Sequence, residues 1–513
     1  MNVTSLMRRA AQVHAKRVAI VHGDDRITFA EAWERGCRFA NGLISMGMRP
    51  GDCVAALEEN STQAADFFLG CAIANVVRVP LYPRNSRESH IEMLRNMDCR
   101  ALFASADHAA DVAGLEGEVP TLKHVVIRED GYEDWLARQS ATDPLVPIKS
   151  DDLYIIRHTG GTTGRSRGVA STHRQWIDTG RDWFYPFPPV EPGDACLHVG
   201  PISHGSGYFF MPTWLGGGIN VMVSKFEPKE TLEIMERERV GYSFVVPPIL
   251  NAMCQHPAAV GRDWSALKCL FIAGAPISDA TALKAREVFG EKGMYQGYGL
   301  SEVLLVSCMG PRQWFGNVEG SNPLRSCGLV MPYAYVEIWD DDNKPLPFGE
   351  VGQIVARTDG QMTGYWRDPE GTRERIVQGR VLTGDVGMID RNGYLYLLDR
   401  ADDMIISGGY NIWPMELENA IADHPAVLEV AVFGIPDQRW GETPCAVVVP
   451  KADETISEQE IIQICIDQLG SYKKPGKVVV RREPLPKSPV GKIRRKDLRE
   501  PYWAGHQRRI GGT

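Results

Sequence analysis

Residues 159–168 combine the side chains and the backbone freedom that phosphate binding requires. The segment reads TGGTTGRSRG, so its glycines let backbone N–H groups turn towards an anion, while threonine hydroxyls and two arginines add donors and positive charge. The apolar run at 153–156 predicts a buried strand that delivers the loop. Neither GxxxxGK[ST] nor GxGxxG occurs there, so the segment predicts a phosphate-binding loop of another type, with an ordinary surface loop as the alternative.

Two downstream segments add groups suited to a nucleotide and a metal ion. In YQGYGLSE at 295–302, Tyr298 can stack on a flat ring, Ser301 can bond a phosphate oxygen, and Glu302 is a hard oxygen ligand for magnesium. This segment taken alone is more typical of a solvated turn. Farther along, Asp385 is short enough to accept both hydroxyls of a ribose, and Arg400 ends an alternating strand with a guanidinium for a phosphate or a hydroxyl.

A histidine and a lysine lie in loops of small and rigid residues. His204 occurs in PISHGSG, where it either gates a pocket or makes an ordinary turn hydrogen bond. Lys492 occurs in PKSPVGK, a Pro/Gly loop that presents one lysine at its tip.

Between 471 and 510 there are thirteen lysines and arginines against three acidic residues, which indicates a polyanionic small ligand, with a solvated face as the alternative.

Strand-like and helix-like runs alternate along the chain, which predicts α/β units over a largely parallel sheet. Thr28 and Glu31 form a capping box ahead of a helix at 29–46. Strand-like runs follow, and those at 242–250 and 270–276 end in turn residues that would face a ligand crevice.

A smaller unit is predicted after residue 403, because a polar step at 401–403 separates two apolar runs. Within this unit we expect helices at 414–423 and from 457, with a capping box between Ser457 and Glu460 and a stop at Gly470. The strands expected there are at 428–434 and 445–449.

Composition limits the class of protein. A chain of 513 residues should form two to four structural units, and a net charge of −9 argues against a nucleic-acid binder. No apolar run is long enough to span a bilayer, and residues 1–20 lack a signal-peptide core, so we expect a cytoplasmic protein without an integral membrane segment. The eleven cysteines include no CxxC pair, which predicts reduced, packed thiols.

In their order, the motifs resemble those of the adenylate-forming superfamily, and specifically of its acyl-CoA synthetases. TGGTTGRSRG is similar to the family's phosphate loop, PISHGSG to its acyl-pocket loop, QGYGLSE to its adenine and magnesium motif, and PLPKSPVGK to its C-terminal lysine loop. The stretch from TGD to SGGYN is similar to the ribose and hinge region. The resemblance implies an α/β fold with a large multi-sheet N-terminal domain at 1–401 and a small mobile α+β C-terminal domain at 402–513, hinged at Asp402.

The resemblance also implies a reaction: an AMP-forming acid–thiol ligase that uses ATP, Mg²⁺ and coenzyme A. A carboxylate attacks the α-phosphate of ATP to give acyl-AMP and pyrophosphate, and the thiol of coenzyme A then attacks the acyl carbon and releases AMP. Because both partners of the first step are anionic, catalysis should come mainly from charge neutralisation and alignment.

Residue roles follow from the resemblance. Lys492 bridges the carboxylate and the α-phosphate, Glu302 binds Mg²⁺, Ser301 binds the α-phosphate, and His204 joins the catalytic set. After rotation about the hinge, the small domain brings a glycine pair to the pantetheine channel and an aromatic and basic face to the nucleotide of coenzyme A. The implied nucleotide and coenzyme A positions are Thr159, Gly160, Gly161, Thr162, Thr163, Gly164, Arg165, Arg167, Ala273, Gly274, Ala275, Tyr298, Gly299, Asp385, Arg400, Gly408, Gly409, Trp440, Tyr472, Lys474 and Lys477.

Four positions depart from the family's usual residues. Arg167 replaces a lysine and Ser301 a threonine, so charge and hydroxyl are kept. Ser166 replaces a proline, which only loosens the loop. Tyr410 replaces the glutamate of many ligases and puts any role of that glutamate in doubt.

The implied acyl pocket is mostly apolar and contains no lysine or arginine. A second carboxylate buried there would be unpaired, at a cost of several kcal/mol by order of magnitude, so malonate-like substrates are disfavoured. We expect a bulky hydrophobic monocarboxylate, aryl or fatty, whose chain length the sequence leaves open. The pocket residues are His204, Gly205, Ser206, Ile249, Ala273, Gly297, Gly299, Leu304 and Leu305.

Other interpretations stay open. One is an enzyme that passes the acyl-AMP to an acceptor other than coenzyme A, and another is a catalytically silent acyl- or nucleotide-binding homologue. The intact Lys492, Glu302 and Asp385 argue against the silent homologue. A synthetase with its own C-terminal carrier domain is not expected, because Thr513 follows Lys492 too closely. The partners expected are the acid, ATP and coenzyme A, with no nucleic acid, and the oligomeric state, monomer or homodimer, stays open.

Overall fold

The computed structural model describes residues 1–83, 85–128, 131–159, 167–400, 403–407, 410–437, 439–487 and 493–504. Strands and helices alternate through the first of these residues, as the sequence predicts. The elements before residue 150 are α1 (Val3–Val13), β1 (Val18–His22), β2 (Asp25–Thr28), α2 (Phe29–Ser45), β3 (Cys53–Leu57), α3 (Thr62–Ala74), β4 (Val77–Pro80), α4 (Arg87–Asn96), β5 (Ala101–Ser105), α5 (Ala109–Val112), α6 (Leu115–Glu118), β6 (His124–Arg128) and α7 (Tyr132–Ala137).

The next stretch completes two large sheets. Its elements are β7 (Leu153–Thr159), β8 (Arg167–Thr172), α8 (His173–Phe184), β9 (Ala195–His198), α9 (Gly207–Leu215), β10 (Ile219–Met222), α10 (Pro228–Arg237), β11 (Val240–Val245), α11 (Pro247–Gln255), β12 (Cys269–Ile272), α12 (Asp279–Phe289), β13 (Met294–Leu300), β14 (Val303–Met309), α13 (Pro311–Trp314) and β15 (Leu329–Val330). The strand-like run expected at 242–250 is wrong in its second half, because the consecutive prolines at 247 and 248 begin α11.

The first large sheet has seven strands in the order β18-β8-β7-β4-β3-β5-β6, with β18 at Gly364–Tyr365. The pairs among β7, β4, β3, β5 and β6 are parallel, whereas β8 returns antiparallel to β7. All five residues of β3 are buried, the near-continuous apolar pattern of a strand covered on both faces.

The second large sheet has nine strands in the order β15-β14-β13-β12-β11-β9-β10-β1-β2 and is parallel from β13 to β1. One hydrophobic cluster joins the two sheets. It contains Tyr154 of β7, Phe271 of β12, Trp176 of α8, and Phe209 and Trp214 of α9. The largely parallel α/β architecture is therefore confirmed, and α8 and α9 supply the aromatic packing between the sheets.

A third sheet is antiparallel and carries the predicted ribose-binding residues. Its order is β16-β17-β20-β19, and β21 pairs with β20. The elements of this stretch are β16 (Tyr335–Trp339), β17 (Gly352–Arg357), α14 (Pro369–Arg375), β19 (Ile376–Val377), β20 (Arg380–Ile389) and β21 (Leu395–Arg400).

Residues 403–504 contain a sheet of their own, separate from the three sheets described above. The Ser457–Glu460 capping box is present and Gly470 ends the helix, as expected. The elements are β22 (Ile405–Ser407), β23 (Tyr410–Ile412), α15 (Pro414–Ala422), β24 (Val427–Asp437), β25 (Gly441–Pro450), α16 (Glu458–Leu469), β26 (Lys477–Val480) and α17 (Arg495–Trp503).

The cysteines and the helix lengths bear on two expectations drawn from the composition. Every cysteine is buried and none is in a disulfide, which confirms the prediction of packed thiols. Within the described residues, no helix has both the length and the apolar character needed to cross a membrane.

Candidate functional site

The predicted phosphate loop is anchored by two paired strands. β7 ends at Thr159 and β8 begins at Arg167, and these two residues are partners in the antiparallel register. This confirms the predicted strand ahead of the loop. The Arg167 guanidinium lies 5.1 Å from the Tyr365 ring, with its Nε 3.5 Å from Asp368 Oδ2. Ser166, which replaces the family's proline, lies outside the described residues, as do the loop positions predicted to bind ATP: Gly160, Gly161, Thr162, Thr163, Gly164 and Arg165.

Glu302, the predicted magnesium ligand, is a buried carboxylate that accepts a hydrogen bond from a tyrosine and lies near an arginine. Only 5% of the residue is exposed, and Tyr365 Oη donates a 2.9 Å hydrogen bond to its Oε1. Arg375 Nη2 lies 3.8 Å from the same oxygen and donates to the Thr383 carbonyl. The sequence did not predict Arg375, because α14 meets Glu302 only through the tertiary fold.

The fit to magnesium rests on this single carboxylate. Among the described residues, no three His, Cys, Asp or Glu side chains cluster as a metal site of protein ligands alone would require. Magnesium bound with a nucleotide needs only one or two carboxylates, because phosphate oxygens and water complete its octahedron. Glu302 fits that donor set.

Tyr298 and Asp385, predicted to hold adenine and ribose, contact each other. Tyr298 Oη donates a 2.6 Å hydrogen bond to Asp385 Oδ2, and both residues are buried. Burial, followed by the nearby carboxylate, raises the pKa of the Tyr298 phenol. Asp385 also pairs through its backbone with Arg400, which ends β21. The structure thus brings these three predicted nucleotide residues together at the junction of the second and third sheets.

His204 lies in the turn before α9. Its Nδ1 is 2.7 Å from Ser203 Oγ, and its ring centroid is 3.9 Å from that of Tyr82. Its Nε2 is buried and has no hydrogen-bond partner within the described part of the chain. Burial, followed by the charge of Arg157, lowers the pKa of His204 to about 3, so the ring is neutral at physiological pH.

The predicted acyl pocket has an aromatic wall. A Cβ at Gly205 would come within 2.7 Å of Phe244, and one at Gly297 within 2.8 Å of Phe271, so these glycines leave space for aromatic rings. Trp183 lies 5.1 Å from Phe271, and its ring stacks on Tyr208 at 4.9 Å.

The other predicted pocket residues divide between two clusters. Ala273, Leu304 and Leu305 belong to the hydrophobic cluster that contains Trp183, whereas Ile249 packs against a different one. The hydroxyl of Ser206 is 2.7 Å from His198 Nδ1, so it already has a hydrogen-bond partner within the protein. A Cβ at Gly299 would lie 3.2 Å from Leu304. One at Gly274, the neighbour of Ala275, would lie 3.5 Å from Val246 and 3.9 Å from Phe244.

A buried arginine next to this wall was missed. Arg157, in β7, is 6% exposed, its guanidinium lies 4.9 Å from the Tyr208 ring, and its Nη2 donates to the carbonyl of Ser301 at 3.2 Å. An arginine therefore lies beside the predicted pocket, although the predicted set of pocket residues contains no lysine or arginine. A charged residue inside the apolar run LYIIRHT was the available signal.

The C-terminal lysine loop is closed at its base. Lys487 and Ile493 form an antiparallel bridge, and Lys487 makes an ion pair with Glu429. Lys492 and the hinge residue Asp402 lie outside the described residues. Asp403 is paired with Arg495 at 3.3 Å and with Arg499 at 3.1 Å, so the residue next to the predicted hinge is fixed to α17.

The predicted coenzyme A face is exposed and aromatic. Trp440 is 48% exposed and Tyr472 is 51% exposed, and the Tyr472 ring lies 5.2 Å from that of Tyr410. Lys474 is also exposed, whereas Gly408 and Gly409 lie outside the described residues. The tyrosine that replaces the family's glutamate therefore joins the predicted coenzyme A face.

Comparison with known families assigns both parts of the chain. The AMP-binding enzyme family matches residues 7–366, and the AMP-binding enzyme C-terminal domain matches residues 416–492.

Individual relatives match over nearly the whole length. A feruloyl-CoA synthase of Amycolatopsis is 33% identical over 505 residues, which cover 96% of this chain and 98% of that protein. A long-chain-fatty-acid–CoA ligase of Mycobacterium tuberculosis is 32% identical over 510 residues, covering 98% of this chain and 99% of the relative. The solved structure of the amide bond synthetase McbA from Marinactinospora thermotolerans is similar with a TM-score of 0.87 at 28% identity, covering 98% of this chain and 100% of that one.

Proposed function

This chain belongs to the AMP-binding enzyme family and is an AMP-forming acyl-CoA synthetase, and we propose that its substrate is a hydrophobic carboxylic acid, aryl or fatty. The aromatic wall of Phe244, Phe271, Trp183 and Tyr208 beside the acyl loop carries this proposal. Aromatic and aliphatic groups gain stability when such a surface removes them from water. The relatives that act on feruloyl and long-chain acyl groups support it.

For adenylation, we assign Lys492 to bridge the acid and the α-phosphate, and Ser301 to bond that phosphate. The phosphate loop with Arg167 holds the β- and γ-phosphates, and Asp385 and Arg400 hold the ribose beside Tyr298. Their shared effect is to neutralise and align two anions. When bound, Mg²⁺ held by Glu302 supplies positive charge to the phosphates. His204, neutral at physiological pH, contributes a hydrogen bond at the acyl end and carries no charge.

For the second step, we assign residues 1–401 and 402–513 to two domains that turn about Asp402. The rotation removes Lys492 and brings Gly408 and Gly409 to the pantetheine channel, with Trp440, Tyr472 and Lys474 towards the nucleotide of coenzyme A. The pairing of Asp403 with Arg495 and Arg499 supports a pivot at this point, because it fixes the chain immediately after the hinge to the small domain. We place both reactions in the cytoplasm, where ATP and coenzyme A are available.

One assay tests the proposal. The protein is incubated with ATP, Mg²⁺ and a panel of benzoates, cinnamates and fatty acids of four to eighteen carbons, with and without coenzyme A, and AMP release is measured. We expect AMP release that depends on both the acid and coenzyme A. Release that ignores coenzyme A for every acid would contradict the choice of acceptor, and no release with any hydrophobic acid would contradict the choice of substrate.

A second candidate acceptor is an amine, and the similarity to the amide bond synthetase McbA favours testing it. The same panel is therefore repeated with simple amines in place of coenzyme A. Amide product formed faster than thioester would assign the protein to that chemistry. The exposed Trp440 and Tyr472 support coenzyme A instead, because such rings can stack on its purine base.

A further inference from the structure

Two arginines of the first sheet are buried close to each other, and neither makes an ion pair with a described residue. Arg78, in β4, is 2% exposed and Arg157, in β7, is 6% exposed. β4 and β7 are parallel neighbours in which Arg78 pairs with Ile155, two residues before Arg157. Both guanidinium groups face Trp176, at 5.6 Å and 5.7 Å from its ring.

The donors of these side chains are unsatisfied. Nε and Nη2 of Arg78, Nε of Arg157 and the hydroxyl of Tyr208 are buried and have no hydrogen-bond partner among the described residues. No carboxylate of the described chain forms an ion pair with either arginine. Burial lowers the pKa of Arg157 to about 10, which still leaves it charged at neutral pH. Buried charges normally persist only where an opposite charge or a set of acceptors compensates them.

Another buried arginine of the same sheet illustrates the difference. Arg128 is equally enclosed and also has Nε and Nη2 without a partner among the described residues, but it makes an ion pair with the buried Glu58. A guanidinium that serves the core alone is thus compensated here by a carboxylate. Arg157 donates to one backbone carbonyl, that of Ser301. The other neighbours of the two guanidinium groups include aromatic faces, among them Phe68 and Tyr154 around Arg78, and such faces attract a cation without accepting its N–H groups.

The cluster is continuous with the acyl pocket. Trp176 stacks on Tyr208 at 4.8 Å, Tyr208 stacks on Trp183 at 4.9 Å, and Trp183 contacts Phe271 at the pocket wall. Tyr208 directly follows the acyl loop, in the first turn of α9, and Arg157 donates to Ser301 on the nucleotide side. An acid held with its carboxylate near Ser301 would have its remaining atoms beside these donors.

We propose that Arg78, Arg157 and Tyr208 form a subsite for a second oxygen group of the acid substrate, a carboxylate or a ketone oxygen remote from the carboxylate that is activated. This inference rests on the proposed ligase function and deepens it. The substrate is then a hydrophobic acid with a polar end that accepts hydrogen bonds from the two guanidinium groups. A second carboxylate buried in the pocket would then not be unpaired, because Arg78 of β4 and Arg157 of β7 supply the opposite charge.

The first test uses the unaltered enzyme and needs no variant. Three series of equal chain length, from four to twelve carbons, are compared by kcat/KM in coenzyme A-dependent AMP release: monocarboxylates, their ω-1 oxo derivatives and the α,ω-dicarboxylates. We expect an oxo or dicarboxylic acid to exceed its methyl-ended counterpart at least tenfold at the best length. Activity with monocarboxylates but no preference at any length would overturn the inference while leaving the ligase function intact, and no activity in any series would overturn both.

Variants then locate the preference. Arg157→Met and Arg78→Met should reduce the kcat/KM ratio of the oxygenated acid to its methyl-ended counterpart towards one, and Arg157→Lys should retain part of it. Arg181→Met is the matched control, because Arg181 also lies over an aromatic ring, Tyr333 at 5.5 Å, but at the surface of α8. Equal losses for both acids, with an unchanged ratio, would assign the arginines to folding alone. Relative rates of carboxylate against ketone show which of the two oxygen groups the subsite takes.

Discussion

The hydroxyl of Tyr298 donates to Asp385 across 2.6 Å, so two residues predicted to hold different parts of the nucleotide form one buried unit. The bond orients the carboxylate that we assign to the ribose, and the carboxylate in turn fixes the tyrosine ring. The predicted adenine and ribose ends of the site are therefore joined by a direct hydrogen bond.

Removal of this hydrogen bond should weaken ATP binding. Tyr298→Phe leaves a buried carboxylate with one donor fewer, and we expect a loss of about 1–3 kcal/mol in the free energy of unfolding. The KM for ATP should rise about tenfold as Asp385 loses its orientation. Urea unfolding and initial rates measure the two effects.

A similar pair in the third sheet provides the control for Tyr298→Phe. Tyr396 Oη donates to Asp390 Oδ2 at 2.8 Å, away from the predicted nucleotide residues. Tyr396→Phe should reduce stability to a similar degree and leave the KM for ATP within about twofold. Equal effects of the two substitutions on KM would show that Tyr298 acts only through stability.

Lys492→Ala should separate the two half-reactions. The lysine charge is assigned to the first step alone, so acyl-AMP formation should fall at least about 100-fold. Thioester formation from supplied acyl-AMP and coenzyme A should stay within about threefold. Lys496→Ala, which removes an exposed lysine of α17, is the control. Equal loss of both steps in Lys492→Ala would refute the two-orientation mechanism.

Glu302→Gln should change the dependence on magnesium. The amide keeps the shape and the Tyr365 contact but loses the charge that a hard cation prefers. We expect adenylation at saturating Mg²⁺ to fall about 100-fold and the half-saturating Mg²⁺ concentration to rise. Glu337→Gln, in β16, removes a carboxylate from the third sheet and should change neither. A Mg²⁺ titration that Glu302→Gln leaves unchanged would remove Glu302 as the ligand.

The buried histidines should make the fold less stable as the pH falls below about 6.5. Burial lowers the pKa of His158, His173 and His198 to about 4 and that of His204 to about 3. The unfolded chain binds these protons from about pH 6.5 downwards and the folded chain does not, so stability falls with falling pH. Each group should contribute on the order of 1 kcal/mol per pH unit in this window.

Urea unfolding at pH 7.5, 6.5 and 5.5 measures this slope. His173 accepts a bond from the Val3 N–H at Nδ1 and lies 3.3 Å from Asn75 Oδ1 through Nε2, an arrangement that requires a neutral ring. His173→Gln should therefore flatten the slope. Hydrogen bonds with Glu59 and Asp111 raise the pKa of His108, so this one histidine makes the folded chain more stable as the pH falls and partly offsets the loss. A stability that is flat from pH 7.5 to 5.5 would show that the buried histidines are hydrated.

Local chemistry explains which parts of the structure were predictable. The capping boxes of Thr28 with Glu31 and of Ser457 with Glu460 depend on residues three apart, and both are present. The run at 242–250 failed because a short apolar stretch does not distinguish strand from helix, and Pro247 decided it. The Glu302–Arg375 and Arg78–Arg157 pairs depend on which strands and helices meet, and no single segment contains that information.

The ion pairs of Asp403 limit how the small domain can turn. Arg495 and Arg499 belong to α17, which follows directly on the lysine loop, so the chain after the hinge and the base of that loop belong to one rigid body. In the mechanism that we propose, Lys492 therefore moves away with the small domain as the coenzyme A face arrives. Adenylation and thioester formation then need two different orientations of one domain, so they cannot proceed at the same time.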